Sequence, residues 1–258
     1  HQKQQVEKEK QEIAELKIKV LRSQSEQDKL KLEYQNAKKE MLNLIANHAK
    51  MSNYSFGVRT KRWIRFSINY IKERMRGLDF SMVYVGDIQK NVAEFHGYSM
   101  TDEKDMKRML KAIPVNPSEC SFLDVGCGKG ICMKCAVESG YGKVAGLDLD
   151  KHLLGIAKKN MSILKMDVRL INANAVDFDG YADFDVFYFY NPFGRSVFEQ
   201  VIEKIKESQK TRNRDIWIAY YHPVFSELFD KAGFELKNEV KDKTRDTTTK
   251  FYYMPKLK

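Results

Sequence analysis

Three glycines at alternate positions follow a short apolar stretch near the middle of the chain. Residues 122–125 are apolar except for Asp124, and the glycines follow at Gly126, Gly128 and Gly130. Glycine allows a positive φ and lets the backbone approach a ligand closely. A strand that enters such a turn and leaves it in a helix is typical of nucleotide-cofactor sites.

The detail of this turn excludes two common nucleotide-binding motifs. The turn lacks the Lys-Ser/Thr ending of a phosphate-binding P-loop, and its glycine spacing differs from the G-x-G-x-x-G of dinucleotide enzymes. An acid, Asp124, stands at the end of the strand instead. The motif is therefore more specific than a glycine-rich turn alone.

An acid followed by a G-x-G-x-G loop resembles the first motif of the class I, Rossmann-type S-adenosylmethionine-dependent methyltransferases. The resemblance covers about residues 98–258 and continues motif by motif. It implies S-adenosyl-L-methionine as the cofactor and methyl transfer as the activity. It also implies that the loop residues hold the cofactor, namely Asp124, Gly126, Cys127, Gly128 and Gly130.

The same resemblance implies further cofactor contacts after the second and third predicted strands. Asp148, followed by Leu149, stands where the family keeps an acid for the two ribose hydroxyls, and a carboxylate suits a vicinal diol because it accepts two hydrogen bonds. Asn174, followed by Ala175, stands where the family usually has Asp for the adenine amino group, and its carbonyl oxygen can still accept. Tyr98 is expected to close over the cofactor.

The fourth predicted strand ends in Asn191-Pro192-Phe193. This segment resembles the Asn/Asp-Pro-Pro-aromatic motif of amino-directed methyltransferases with one proline missing, and it is closer to a bacterial methyltransferase group with Asn-Pro-Phe. The resemblance implies that Asn191 accepts hydrogen bonds from an acceptor nitrogen, whereas a plain strand-ending turn is the alternative. His222 follows the fifth strand, where it is either a general base or a strand cap. The predicted catalytic residues are therefore Asn191, Pro192, Phe193 and His222.

The four cysteines crowd into one short region, at Cys120, Cys127, Cys132 and Cys135. A secreted disulfide framework would connect distant loops, so the pattern favours a reducing cytoplasm. Cys132-x-x-Cys135 has the spacing of a metal or redox pair, but a four-cysteine site would destroy the cofactor loop. We therefore predict buried small hydrophobes and no metal.

Strand and helix patterns alternate over the C-terminal part of the chain. Alternating strands and helices predict a doubly wound, mostly parallel sheet with helices on both faces. Two final strand-like runs with no helix between them, 234–240 and 251–254, predict an antiparallel C-terminal hairpin and a total of seven strands. The expected strands before the hairpin are 121–125, 144–147, 168–172, 186–190 and 216–220. We expect this Rossmann-type methyltransferase domain over residues 113–258.

Residues 1–56 contain neither Gly nor Pro, and a heptad register runs through them from Val6 to Leu44. The seam is mostly apolar, which predicts a long helix in a parallel coiled-coil homodimer. A single helix packed on its own domain is the alternative. The sequence begins with His1 rather than Met, which indicates that further residues precede it.

Residues 57–112 form a basic helical lead-in to the domain. Its apolar residues recur at helical spacing, with most of its basic residues off that stripe, and we favour packing of the stripe on the next domain over contact with a polyanion. The stripe consists of Ile64, Ile68, Ile71, Met75 and Leu78.

The bulk composition suits an α/β domain with an appendage. The chain has 258 residues, a net charge of +10 and 31% charged residues. A basic balance attracts polyanions without proving a partner, and no stretch approaches the roughly 18 consecutive apolar residues of a transmembrane helix. Methyl transfer to an N or O acceptor, with protein, nucleic acid and glycan as candidates, is the predicted function. A cofactor-binding scaffold that acts through its coiled coil and basic helix is the alternative.

Overall fold

The computed structural model describes residues 68, 71–80, 103–242 and 247–258. The predicted coiled coil of residues 1–56, the homodimer that depends on it, Tyr98 and most of the lead-in lie outside the described residues. Within the described ranges, no helix combines the length and the apolar character that crossing a membrane requires.

Seven strands form one mixed sheet. Their bounds are β1 Ser121–Val125, β2 Lys143–Asp148, β3 Arg169–Asn172, β4 Val186–Tyr190, β5 Ile216–Tyr221, β6 Glu235–Lys241 and β7 Thr248–Met254. The spatial order is β3-β2-β1-β4-β5-β7-β6. Strands β1 to β5 pair in parallel, whereas β7 is antiparallel to both β5 and β6. The predicted sheet and its C-terminal hairpin are therefore confirmed, and the second hairpin strand lies between β5 and β6.

Helices cover both faces of this sheet. They are α1 Glu103–Leu110, α2 Ile131–Glu138, α3 Lys151–Leu164, α4 Arg195–Thr211 and α5 Glu227–Ala232. Alternate residues of β4 enter two different apolar clusters: Val186 and Tyr188 pack with residues of α1, α2 and α3, while Phe187 and Phe189 pack with residues of α4 and α5. Because successive side chains of a strand point to opposite faces, this alternation shows a doubly wound sheet.

The strand order creates a crevice at one edge of the sheet. From β1 the chain proceeds outward to β2 and β3, and then returns to the other side of β1 as β4. The carboxyl ends of the parallel strands share one edge, and ligands of open α/β sheets bind there, where the strand order reverses. The loops after β1, β2, β4 and β5 are therefore the ones that build the site.

The structure corrects the prediction that the apolar stripe of the lead-in packs on the next domain. Ile68, Ile71 and Met75 are exposed, and Met75 reaches 83% exposure, whereas Leu78 is only 2% exposed. The helical stretch at 71–75 ends in a turn at Gly77, which has a φ of 73°. The described stripe residues before the turn therefore lie in solvent, and Leu78 after it is buried, while Ile64 lies outside the described residues.

Candidate functional site

The glycine loop is held against the end of β2 by backbone hydrogen bonds. Gly126, Gly128 and Gly130 all have positive φ, at 82°, 52° and 90°. The N–H groups of Gly126 and Cys127 both donate to the carbonyl oxygen of Leu147, at 2.8 and 3.1 Å. Residues with a side chain rarely adopt a positive φ, which explains why glycine occupies all three positions.

Asp148 connects the glycine loop to the end of β2. Its Oδ2 atom accepts from the Gly128 N–H at 2.8 Å, and its Oδ1 atom accepts from the Asp150 N–H at 2.9 Å. Burial raises the pKa of Asp148, and these two N–H donors oppose that shift. The Leu149 N–H also acts on this carboxylate, and its two oxygens together have about four acceptor positions, so the carboxylate can accept a further hydrogen bond.

Asn172 is a residue that the sequence reasoning missed. Its Nδ2 atom donates to the carbonyl oxygens of Asp148 and Leu149, at 3.0 and 2.9 Å. These bonds fix the loop after β2 and leave the Leu149 side chain exposed beside it. A polar residue at the last position of β3 was the available signal, since the ends of neighbouring parallel strands meet at one edge.

Asp124 lies buried at the end of β1, only 3% exposed. Burial, and next the negative charge of Asp148, raise the pKa of Asp124 well above its usual range. A carboxylate in such surroundings is stabilised in its charged form by a nearby cation. The loop therefore combines backbone donors with an acidic centre.

Asn174 and Ala175 follow β3 in a tight turn. The Oδ1 atom of Asn174 accepts from the Val176 N–H at 3.2 Å, and the Ala175 carbonyl oxygen accepts from the Tyr181 hydroxyl at 2.7 Å. The Ala173 N–H donates to the carbonyl oxygen of Asp148 at 3.3 Å. This last bond brings the turn beside the loop after β2, as expected for two residues of one site.

Asn191 and His222 occupy equivalent positions at the ends of the neighbouring strands β4 and β5. Both are non-glycine residues with positive φ, at 42° and 53°. Such conformations cost free energy and persist where the surroundings determine them. The Tyr220 hydroxyl donates to Asn191 Oδ1 at 3.2 Å and accepts from the Phe225 N–H at 3.3 Å. Burial raises the pKa of Tyr220, so the hydroxyl keeps the proton that it donates.

Pro192 and Phe193, which follow Asn191, pack in two different places. A Cβ atom built on Gly126 would lie 2.8 Å from the Cβ atom of Pro192, so the loops after β1 and β4 are in direct contact. Phe193 is buried, and its ring centroid lies 6.2 Å from that of Phe198. The predicted motif is thus divided: Pro192 packs toward the glycine loop and Phe193 toward the core.

His222 is bonded to the start of β7. The backbone N–H of His222 donates to the Thr248 carbonyl oxygen at 3.0 Å, and its ring Nδ1 atom lies 3.0 Å from Thr247 Oγ1. The residue also lines an open cavity of about 420 Å³ beyond the end of β5. The remaining lining residues are Pro223, Val224, Lys241, Asp242, Thr247, Thr248 and Lys250.

Three of the four cysteines are buried, as predicted: Cys127, Cys132 and Cys135. Burial raises the pKa of each thiol, that of Cys135 to about 12. Thiolates are the reactive and metal-binding form, so these surroundings favour a structural role. Glu103 and Glu138 lie near Cys135, but both carboxylates hold the Lys134 ammonium, at 2.7 and 2.9 Å.

Residues 122–211 match a family model described as a methyltransferase domain. The matched segment contains the glycine loop, Asp148, Asn174 and the Asn191–Phe193 motif, on a sheet whose order reverses at the crevice. Residues 122–211 therefore belong to a methyltransferase domain family.

Two curated relatives match over short stretches. Ribonuclease Y of Helicobacter hepaticus is 67% identical over 52 residues, or 20% of this chain and 10% of that protein. Ribosomal RNA small subunit methyltransferase H of Kosmotoga olearia is 42% identical over 60 residues, or 22% of this chain and 20% of that protein. The chain thus spans a tenth and a fifth of the length of these relatives.

Solved structures share the fold of the methyltransferase domain. The candidate methyltransferase yhhF from Escherichia coli superposes with a TM-score of 0.50 at 17% identity. The superposition covers 62% of this chain and 89% of that chain. At this identity the likeness concerns the fold alone.

Gly126→Ala tests the close approach of the glycine loop to Pro192. The new methyl group would displace Pro192, so we expect cofactor affinity to fall at least about tenfold, which corresponds to about 1.4 kcal/mol. Gly140→Ala is the matched control, because Gly140 has a similar φ of 89° but nothing within 4 Å of a new Cβ. Both variants carry a left-handed backbone penalty of about 1–2 kcal/mol. Calorimetric titration with S-adenosylmethionine and thermal unfolding separate the two effects, and equal affinities in both variants would contradict the expectation.

Asp124→Asn tests the raised pKa of the buried carboxyl group. Because the folded-state pKa lies above the unfolded value, the folded protein holds this proton more tightly, and stability falls as pH rises from the ordinary Asp pKa through the raised one. The variant cannot ionise, so above that window we expect it to be more stable than the unaltered protein while binding the cofactor more weakly.

Denaturant unfolding between about pH 4 and pH 8, together with titration of the cofactor, measures both quantities. Asp183→Asn, which alters an exposed carboxylate paired with Arg169, is the control and should leave the cofactor affinity unchanged. A pH dependence of stability identical in Asp124→Asn and in the unaltered protein would show that the carboxyl group is not perturbed.

Proposed function

We propose that this protein transfers a methyl group from S-adenosylmethionine to a nitrogen atom of RNA. The observation that carries the proposal is the contact between Gly126 and Pro192, which brings the residue before Pro192 beside the cofactor loop. That residue is Asn191, a polar side chain in a left-handed conformation with its oxygen already oriented by Tyr220. Such strained polar residues are common at active sites.

The residues around the glycine loop fit the proposed cofactor. Gly126 and Gly128 adopt a positive φ and carry no side chain, which lets their backbone approach a nucleoside closely, while the place of a Cβ on Gly126 is taken by Pro192. The remaining acceptor positions of Asp148 suit the ribose diol, the exposed Leu149 offers apolar surface to the adenine, and the buried Asp124 complements a cation. When bound, S-adenosylmethionine supplies a methyl group on a sulfonium, which an acceptor nucleophile can displace.

Asn191 is the residue that we assign to the acceptor. Its Oδ1 atom can accept an N–H of the acceptor in addition to the Tyr220 hydroxyl, because an amide oxygen has two lone pairs. Holding the acceptor nitrogen in one orientation is how such a site accelerates transfer, since the cofactor is already activated. The two contacts of His222 with the start of β7 favour a strand-capping role over that of a general base.

Positive charge supports RNA as the acceptor. Lys241 and Lys250 line the cavity beyond β5, and Lys72, Arg74 and Arg76 are exposed on the lead-in. Phosphates of nucleic acids are bound largely through Lys and Arg. One curated relative, matched over 60 residues, is named a ribosomal RNA methyltransferase. A protein acceptor, which the nitrogen-directed motif also allows, is an outcome of the test.

The domain division predicted from the sequence is part of the proposal. A coiled coil at 1–56 would pair two chains, a basic lead-in would span 57–112, and the methyltransferase domain would occupy 113–258. The exposed basic residues of the lead-in support its role as a polyanion contact. The buried, free cysteines support the cytoplasmic location predicted from the sequence.

Transfer of a radiolabelled methyl group to separate pools of RNA, protein and glycan tests the function. We expect label in RNA that nuclease digestion releases. Asp148→Ala should weaken cofactor binding by about 1.5–3 kcal/mol, the scale of hydrogen bonds to a charged group. Asn191→Ala should leave cofactor binding unchanged and abolish transfer. Tyr220→Phe, which removes only the orienting hydroxyl, should lower kcat without changing the cofactor affinity.

Three results would contradict parts of this assignment. Label confined to the protein pool would move the acceptor class from RNA to protein while leaving the methyltransferase activity intact. Normal transfer by Asn191→Ala would reduce Asn191 to a turn residue. An unchanged dissociation constant in Asp148→Ala would show that the ribose lies elsewhere.

The proposed parallel dimer has its own test. Residues 6–44 carry an apolar heptad seam that an isolated helix cannot bury, and such helices are poorly stable in water. We expect light scattering to give a dimer for the full chain and a monomer for a version that starts near Gly57. A monomeric full chain would contradict the dimer, and a dimeric shortened chain would place the interface elsewhere.

A further inference from the structure

A segment ahead of the methyltransferase domain packs behind its cofactor loop. The side chains of Leu78 and Phe80 are buried in one cluster with Ile131, the first residue of α2, and Met161 of α3. Position 131 directly follows the last glycine of the loop. This arm, defined as residues 71–80, lies outside the segment that matches the methyltransferase family model.

Asn160 of α3 ties the arm to the loop through its side chain. The amide is fully buried, and it makes three hydrogen bonds to backbone groups: Nδ2 donates to the carbonyl oxygens of Asp79 at 2.9 Å and Lys129 at 3.0 Å, and Oδ1 accepts from the Asp79 N–H at 2.8 Å. A buried amide is costly unless it is bonded in this way. Asn160 therefore joins position 79 and position 129 directly.

A buried ion pair reinforces the same junction. Lys129 stands between Gly128 and Gly130, and its side chain is only 4% exposed. Its Nζ atom donates to Asp79 Oδ1 at 2.8 Å, and Arg74 approaches the same oxygen at 3.4 Å. The loop residue that carries a charge is thus held by a carboxylate of the arm.

We propose that Asp79 is a positioning residue for the cofactor, because it holds the glycine loop in its binding conformation through Lys129 and Asn160. The Gly128 N–H is fixed by Asp148, and the next residue, Lys129, is fixed by Asp79 and Asn160. The two sets of bonds thus fix adjacent residues of the loop. The arm is therefore part of the cofactor site because it orders the loop.

Loop flexibility explains why this junction affects affinity. A segment with three glycines loses much conformational freedom when it is ordered. If the binding conformation is only a fraction of the population, the apparent dissociation constant rises by the inverse of that fraction. Bonds that order the loop in advance therefore strengthen cofactor binding without contacting the cofactor.

Asp79→Asn in the full chain tests this positioning role. The substitution keeps the size of the side chain and the backbone groups that Asn160 binds, but it removes the charge that Lys129 pairs with. We expect calorimetric titration with S-adenosylmethionine to show about tenfold weaker binding, as for a loop competent in about a tenth of molecules. Hydrogen exchange of the Lys129 and Gly130 amides should accelerate in the same variant.

Asp185→Asn is the matched control. Asp185 is also a partly buried carboxylate in an ion pair, with Arg212 at 2.7 Å, and the two aspartates have similar exposures of 17% and 24%. It also accepts from the N–H of Ser121, the first residue of β1, at the opposite edge of the sheet from the cofactor loop. We expect this variant to lose thermal stability without any change in cofactor affinity.

Lys129→Met and the double variant Asp79→Asn/Lys129→Met complete the comparison. If Asp79 and Lys129 act as a unit, the cofactor affinity of the double variant is no lower than that of the single variant that binds the cofactor more weakly. If Asp79→Asn does not fold, the cofactor affinity and thermal stability of Lys129→Met are compared with those of Asp185→Asn instead.

The inference rests on the cofactor role of the loop and not on the acceptor. No binding by the unaltered protein would defeat the cofactor assignment itself. An unaltered affinity in Asp79→Asn or Lys129→Met, with a stability loss like that of the control, would reduce the junction to a structural contact and overturn the proposal.

Discussion

The hydrogen bond from the Gly128 N–H to the Asp148 carboxylate is the interaction on which the site depends. It joins the turn after β1 to the end of the neighbouring strand β2. A flexible glycine turn becomes a defined surface only when such bonds fix it. The same carboxylate keeps acceptor positions for a ligand, so one side chain both shapes the loop and offers a contact to the cofactor.

A second constraint acts where β4 and β5 end. Asn191 and His222 both adopt positive φ, and each is held by bonds from a neighbouring element: Asn191 by the Tyr220 hydroxyl, and His222 by Thr247 and Thr248. A left-handed residue at a strand end turns the chain sharply and leaves its side chain at the rim. Packing of Pro192 on Gly126 then brings this rim to the cofactor loop.

Charge is distributed in a way that matches these two parts. The cofactor side holds the buried carboxyl groups of Asp124 and Asp148, and burial raises the pKa of both, a shift that a bound cation would oppose. The cavity beyond β5 carries Lys241 and Lys250 together with Asp242. Under the proposed function, a cationic cofactor would meet the carboxyl groups and an RNA acceptor the lysines.

The order of the elements and most of the residues at the crevice could be predicted from the amino-acid sequence. Alternating strand and helix patterns require a parallel sheet, and parallel strands present their carboxyl ends at one edge, so Asp148, Asn191 and His222 could be placed without coordinates. The cysteines could likewise be recognised as core residues from their position on the helix after the loop.

The contacts that those residues make follow from the packed structure. Periodicity predicted that the lead-in stripe packs on the domain, but among its described residues the turn at Gly77 leaves Met75 exposed and Leu78 buried. Local sequence also gave no indication that Asn160 joins Asp79 to Lys129, because these bonds connect positions far apart in the chain. Hydrogen-bond partners across such separations depend on how the helices and strands pack. The pattern of residue types along the chain does not specify that packing.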